Sequence, residues 1–424
     1  MFDQTNLELN RNPKSRSRGK ALRFWVLPFA VWFLTGFGGN RGCAFSPEVT
    51  VTSTSDSSTV DEPGDTTGTT GIESSTAPVQ KISLGWAYSC RIGDSGALKC
   101  WGHNGDYNLG DGTTVHRKTP VPVDSTVSYR FVSAGGGQTC GITEASLLKC
   151  WGYNGYGQVG DGSNTSRSTP VIIGEDYLAV ATGAIFSCGI TSLGRLKCWG
   201  YNYYGQLGDG STVSKNSPVD VDASNSYKLV AAGDRNACAI TDAGYLKCWG
   251  NNWSGQVGDG STTDRATPVA VDSSTKYLSV AVGGQDFACG ITEAFDLKCW
   301  GWNYYNQLGT GSTVNSPIPV VIDSGTHYKA VAAGFYHGCA ITQDDHLKCW
   351  GRNMYGAVGD GSTTNRPSPV AVDATTTYNS ISADGYHTCG ITKGGETRCW
   401  GYNNYGQIGD DTTETRTLPV VVNF

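Results

Sequence analysis

Fourteen of the fifteen cysteines fall into seven pairs with one ten-residue offset: Cys90 and Cys100, Cys140 and Cys150, Cys188 and Cys198, Cys238 and Cys248, Cys289 and Cys299, Cys339 and Cys349, Cys389 and Cys399. Thiols spaced so regularly can hold a metal or close a disulfide. Zinc sites favour two to four intervening residues, whereas nine stand here. The six histidines (His103, His116, His327, His337, His346 and His387) share no register with the pairs. Neither a metal site nor a cofactor is expected, and the pairs read as structural disulfides, which require an oxidising compartment.

Catalysis would need a nucleophile with its base, a carboxylate pair or a metal standing outside this repeat, and the sequence holds no such constellation. An enzyme is therefore not expected. The Gly-Asp-Gly segments at Asp111, Asp161, Asp209, Asp259 and Asp360 offer one carboxylate each, which suits an Asx turn better than calcium. Lys99, Lys149, Lys197, Lys247, Lys298, Lys348 and Arg398 always precede the second cysteine. On an outer strand their stems would pack while the charge reaches water.

Charge narrows the partner class. The chain of 424 residues carries 31 Lys and Arg against 37 Asp and Glu; setting aside the seven positives and two acids before Cys43 leaves 24 against 35, about −11. So acidic a body is a poor partner for phosphate backbones, and nucleic-acid binding is not expected.

The basic residues cluster ahead of an apolar run from Phe24 to Phe37, followed by the small residues Gly38, Gly39 and Gly42. This order matches an export signal, too short for a bilayer span of ~20 apolar residues. Cys43, the unpaired cysteine, stands where a bacterial lipoprotein carries its lipid, although Asn40 and Arg41 depart from that pattern. Residues 1–43 are thus expected to be a signal peptide or lipoprotein signal, and Cys43 is the lipidation candidate. Residues 44–78, rich in Ser, Thr, Asp and Gly, cannot bury enough surface to fold and read as a tether. Membrane association is expected only through that signal or lipid anchor.

From residue 79 onward Cys-Trp-Gly recurs with a period of 48 to 51 residues. Such a period means an array or a propeller. In the third unit, one strand ends at Ala181-Thr182-Gly183, a second runs through Cys188 to Thr191, a third through Arg195 to Trp199, and a fourth follows a proline. Four short strands per unit, with 58 glycines in the chain for turns, describe an all-β propeller blade. Opposing Cys188 to Cys198 in the central hairpin places Ile190 opposite Leu196 and leaves a three-residue loop ending in Gly194, where positive φ is required. Gly96, Gly244 and Gly395 take the same place; Ser146, Phe295 and Asp345 do so in the other units, where the turns are expected to be less relaxed.

The pattern Cys-Trp-Gly-x-Asn-x-x-Gly-Gln-(Leu, Val or Ile)-Gly-Asp-Gly, seen at Cys198 to Gly210 and Cys248 to Gly260, closely resembles the regulator of chromosome condensation repeat over residues 79–424. The resemblance implies a seven-bladed β-propeller of four-stranded blades. It implies less about function, since the scaffold serves GTPase nucleotide exchange, chromatin binding, light sensing and enzyme inhibition. A His often follows the first strand's Gly in the family, and only His337 and His387 fit that place here. The export signal, paired cysteines and acidity argue against carrying over nuclear activities. Secreted bacterial propellers of this kind, some of which inhibit β-lactamases through aromatic loops, are nearer in character.

In an antiparallel four-stranded blade the loops after the first and third strands share one face of the disc. That face collects the ligand-binding candidates: Trp86, Tyr88, Phe186, Phe287, Phe335, Tyr336 and Tyr386 from one set of loops, and Tyr203, Trp253, Trp302, Tyr304 and Met354 from the other. Aromatic enrichment suits a protein hot spot or a sugar platform. The repeated Trp101, Trp151, Trp199, Trp249, Trp300, Trp350 and Trp400, and the in-register Tyr156, Tyr204, Tyr305, Tyr355 and Tyr405, read instead as packing between blades. The function expected is an extracytoplasmic, monomeric binding module that recognises an extracellular or envelope protein through the aromatic face. A carbohydrate-binding propeller or a secreted enzyme inhibitor is the alternative.

Overall fold

The computed structural model describes residues 80–424; the expected signal (1–43) and tether (44–78), with Cys43, lie outside the described residues. Twenty-eight strands form seven antiparallel sheets, each of four consecutive strands. The sheets are the blades of a seven-bladed propeller, at residues 82–122, 129–174, 177–221, 227–270, 277–321, 328–372 and 378–422. Blade 1 shows the plan: Ile82–Gly85, Tyr88–Ile92, Leu98–Gly102 and Arg117–Pro122 run outward from the axis.

The first three strands are almost wholly buried and the fourth alternates between half-buried and exposed, as an outer edge facing water must. The proline lies within the fourth strand rather than before it, as Pro218 does in Lys215–Val221. A ladder interior would forbid it; an edge strand tolerates a residue without an N–H. The repeated lysines sit on the third strand, as Lys197 does in Leu196–Gly200.

The central hairpin takes the expected register. Cys188 faces Cys198 and Ile190 faces Leu196, and all seven cysteine pairs are closed as cross-strand disulfides. Gly194 has φ of 72°, while Ser146, Phe295 and Asp345 hold 61°, 64° and 71° in the same turn. A side chain in this left-handed region costs roughly 1 kcal/mol, which glycine avoids. Phe295→Gly is therefore expected to raise stability by about 0.5 to 1 kcal/mol in urea unfolding, with Gly194→Ala falling by a similar amount. A loss of stability in Phe295→Gly would overturn this account of the turn.

Blades join through the repeated tryptophans. Each indole N–H donates to a backbone carbonyl of the preceding blade at 2.8 to 3.0 Å: Trp151 to Asn108, Trp199 to Gln158, Trp249 to Gln206, Trp300 to Gln256, Trp350 to Gln307 and Trp400 to Ala357. The glycine of the preceding loop makes room, for a Cβ on Gly160 would stand 2.5 Å from the Trp199 ring nitrogen. The ring closes by the same device without strand exchange, because Trp101 donates to the Gln407 carbonyl at 2.9 Å. Leu84 N–H adds a bond to Ser382 Oγ (3.2 Å), and the Phe424 ring lies 4.4 Å from Arg91 Cζ and 4.7 Å from Lys99 Nζ.

At five junctions a latch reinforces the outer seam. Asp124, Asp222, Asp272, Asp323 and Asp373 each accept from a tyrosine hydroxyl of the following blade (Tyr129, Tyr227, Tyr277, Tyr328 and Tyr378) and from a cation on its third strand (Lys149, Lys247, Lys298, Lys348 and Arg398). Five of the repeated cations are thus fixed in these latches, Lys197 pairs with Asp220 of its own blade, and Lys99 lies over the Phe424 ring. Burial and the facing aspartate together raise these phenols well above the usual tyrosine range.

Candidate functional site

One face of the disc is built from two sets of loops that run side by side. In every blade the residue after Cys-Trp-Gly donates its backbone N–H to the loop after the first strand: His103 to Ala87, Tyr153 to Gly137, Tyr201 to Ile185, Asn251 to Arg235, Trp302 to Asp286, Arg352 to Tyr336 and Tyr402 to Tyr386. The long loops are stiff for a reason the motif explains. In blade 2 the buried Asn154 accepts from Val159 N–H (2.9 Å) and donates to the Ser163 and Thr165 carbonyls (3.1 Å each). Asp161 takes the Ser163 N–H (3.0 Å) and hydroxyl (2.8 Å) and pairs with Arg167, which makes it an Asx turn with an ion pair. Asp111, Asp259, Asp360 and Asp410 repeat the pairing with Arg117, Arg265, Arg366 and Arg416, so these carboxylates are engaged within the fold.

Upon this frame stand the aromatic rings. Tyr203, Tyr304 and Trp253 are the most open, at 66%, 65% and 61% exposed, and Met354 is exposed beside them. Trp86, Trp302 and Tyr386 are half-buried. The other sequence candidates are corrected by burial. Tyr88, Phe186 and Phe287 are fully covered, and Phe335 and Tyr336 nearly so. Each begins or adjoins a second strand, where the side chain turns into the seam with the next blade. Tyr88, for example, donates to the Gln138 carbonyl at 2.7 Å. These covered rings pack beneath the face.

Exposed and covered rings together form continuous clusters across blade boundaries. In blades 2 to 4, Tyr153, Tyr156, Tyr201, Tyr203, Tyr204 and Trp253 meet ring to ring at centroid distances of 5.0 to 6.5 Å, and Arg235 lies 5.4 Å from the Tyr204 ring. In blades 5 to 7, Trp302, Tyr304, Tyr305, Tyr336 and Tyr386 form one cluster, and Arg352 lies against three of its rings. Its guanidinium carbon is 4.3, 4.9 and 5.7 Å from the Tyr305, Tyr336 and Tyr386 rings. Burial and the neighbouring Tyr336 push the Tyr386 phenol up to about 12, so the ring stays neutral at physiological pH. Between blades 7 and 1, Tyr405 meets His103 and His116 at 5.0 and 5.2 Å. The in-register tyrosines do bridge blades, yet they are not wholly buried and contribute area to the face.

Sequence reasoning passed over Tyr153, Tyr201 and Tyr402. Their signal was available: the position directly after Cys-Trp-Gly varies among His, Tyr, Asn, Trp and Arg while its neighbours repeat. The opposite face carries exposed apolar residues singly, as at Leu193, Tyr245 and Phe295. The chain enters the first blade on that side, since Ile82–Gly85 runs toward the aromatic face.

Profiles described as the regulator of chromosome condensation repeat match residues 178–206, 227–256, 328–357 and 379–407, and residues 194–240 and 299–341. Among solved structures the chain is similar to human WBSCR16, at 19% identity over 77% of this chain and 94% of that one, with a TM-score of 0.69. It is similar to yeast RCC1 (Prp20), solved bound to Kap60, at 19% identity over 87% and 91% with a TM-score of 0.70. A second structure, Prp20p from Saccharomyces cerevisiae, described with its binding to Gsp1p and histones, matches at 22% over 77% and 85% with a TM-score of 0.67. At these identities the likeness concerns the fold. No curated protein matches the chain.

Proposed function

We propose that this chain, which belongs to the regulator of chromosome condensation repeat family, is a non-catalytic binding module that recognises a protein partner through the aromatic face of the propeller. The observation that carries the reading is the contiguous cluster on blades 5 to 7, where exposed Tyr304 meets the Tyr305 ring and exposed Met354 bonds an arginine held among aromatic rings. Exposed Tyr, Trp, Met and Arg on a stiff frame are what interface hot spots use. The same fold binds proteins in the yeast structures named above. Seven disulfides favour an oxidising, extracytoplasmic compartment.

A photo-crosslinking residue at Tyr304, compared with one at Leu193 on the opposite face, tests the reading in the producing cell. One stoichiometric protein adduct is expected from position 304 and none from 193. Against that partner, Tyr304→Ala with Trp253→Ala should weaken binding more than ~10-fold without moving the melting temperature. Equal adducts from both faces, or unfolding of the double variant, would sink it.

A sugar-binding face is the second reading. Its support is the pair of near-parallel ring sets, Trp302 with Tyr304 (11°, centroids 6.2 Å apart) and Tyr201 with Tyr203 (18°, 6.5 Å). A saturable glycan-array response lost in Trp302→Ala would promote it, and silence from folded protein would remove it.

A further inference from the structure

Resting on the protein-binding reading above, we propose that Arg352 is the receptor for a carboxylate, so that the partner's contact segment carries an Asp or Glu set among apolar residues.

Most arginines of the long loops have their partner within the blade. Arg117, Arg167, Arg265, Arg366 and Arg416 each pair with the aspartate six residues before them. Arg352 does not: no carboxylate of the described residues lies within ion-pair distance, and its one side-chain hydrogen bond goes to the Met354 sulfur at 3.0 Å. A thioether is a weak acceptor, so a fork of five N–H donors is left largely unused. Its position differs from the equivalents too, for the residue after Cys-Trp-Gly is arginine in blade 6 alone.

The cation is nevertheless held in place. The Tyr305, Tyr336 and Tyr386 rings sit within 4.3 to 5.7 Å of its guanidinium carbon, and its backbone N–H is tied to the Tyr336 carbonyl at 2.8 Å. Rings favour a cation through their quadrupole and exclude water from its faces, but they cannot satisfy in-plane N–H groups. Guanidinium edges match a carboxylate in bidentate geometry, and a preordered side chain loses less entropy on binding. Arg235, 5.4 Å from the Tyr204 ring and likewise without an ion pair, gives the face a second cation. The body as a whole is acidic, which disfavours a polyanion and suits an isolated acid; exposed Tyr304, which meets the Tyr305 ring, and exposed Met354, bonded to Arg352, offer apolar contact.

A random heptapeptide phage library panned on the oxidised full chain provides the probe. Enriched peptides should share an Asp or Glu at one position. The synthesised winner should bind Arg352→Gln about ten- to a hundred-fold more weakly, with Arg352→Lys between the two. Changing the peptide's acid to its amide should cost as much against the native chain and almost nothing further against Arg352→Gln. Equal melting temperatures for the native chain and both variants show that folding is not the cause. Winners without an acid, or an amide effect undiminished in Arg352→Gln, overturn the inference. If such acid-free winners still need Tyr304, the protein-binding reading stands and this inference alone fails. If the winners bind Tyr304→Ala and Arg352→Gln as well as the native chain, or if no peptide is enriched, both fail.

Discussion

Reduction of the seven hairpin disulfides is expected to unfold the propeller. Each bridge closes a loop of about ten residues, worth roughly 2 to 3 kcal/mol in the chain-entropy account. Seven together reach on the order of 15 to 20 kcal/mol, comparable with or above the ~5 to 15 kcal/mol by which folded domains exceed their unfolded chains. The sulfurs are fully buried within the packing between blades, so reduction and opening are coupled. Tryptophan fluorescence melting with and without a phosphine reductant, followed by thiol counting, measures the effect. A fully reduced ring that melts where the oxidised one does would refute it. One bridge removed as Cys188→Ala with Cys198→Ala should cost about 2 to 3 kcal/mol and leave the other six closed.

Acidification from pH 7 to 4.5 is the second large effect. His337 and His387 are completely buried on second strands, where Nε2 meets Thr388 Oγ1 at 2.9 Å and Ser89 Oγ at 3.1 Å. Burial lowers the His337 imidazole to about 4; burial, with His337 nearby, lowers His387 to about 3. In the unfolded chain both take up protons as pH falls through about 6.5. Protons therefore favour unfolding below pH 6.5: stability is complete above it and declines until the folded-state values are passed. By pH 4.5 the loss is on the order of 2 to 3 kcal/mol per histidine. A separate acid limb should follow below pH 4. There burial raises Asp222, but hydrogen bonds from Lys247, Tyr227 and Asn225 outweigh it and hold the carboxyl at about 2. Urea midpoints at pH 7.5, 6, 5 and 4.5 test the upper limb. It should flatten in a chain carrying His337→Gln and His387→Gln; a native ring equally stable at pH 7.5 and 4.5 would contradict it.

Both effects start from residues the sequence displays. The disulfides were legible because they join neighbouring strands of one hairpin, where ten-residue spacing, face alternation and a glycine turn specify the partner. The blade count followed from the same local period. The histidines were legible as a repeated position, but their burial was not. Tyr88 and Trp86 show why. They are two residues apart, one in the turn and one opening the second strand, yet one ring is sealed against the next blade and the other is half open.

What the sequence by itself determined is the part written within one repeat: strand order, hairpin register, cysteine pairing, the turns at Gly194 and Phe295, and the placing of aromatic residues on one face. Only the tertiary structure decided which rings remain in contact with water, that four of the repeated lysines and Arg398 are bound to aspartates of the preceding junction, and that Arg352 of blade 6 lies among rings from blades 5, 6 and 7. The physical reason is distance along the chain. Contacts within a hairpin join residues about ten apart and recur with the repeat, whereas contacts between blades join residues some fifty apart, or about three hundred at the closure from Gln407 to Trp101. Those pairs are brought together by the curvature of the whole ring, which no single repeat encodes.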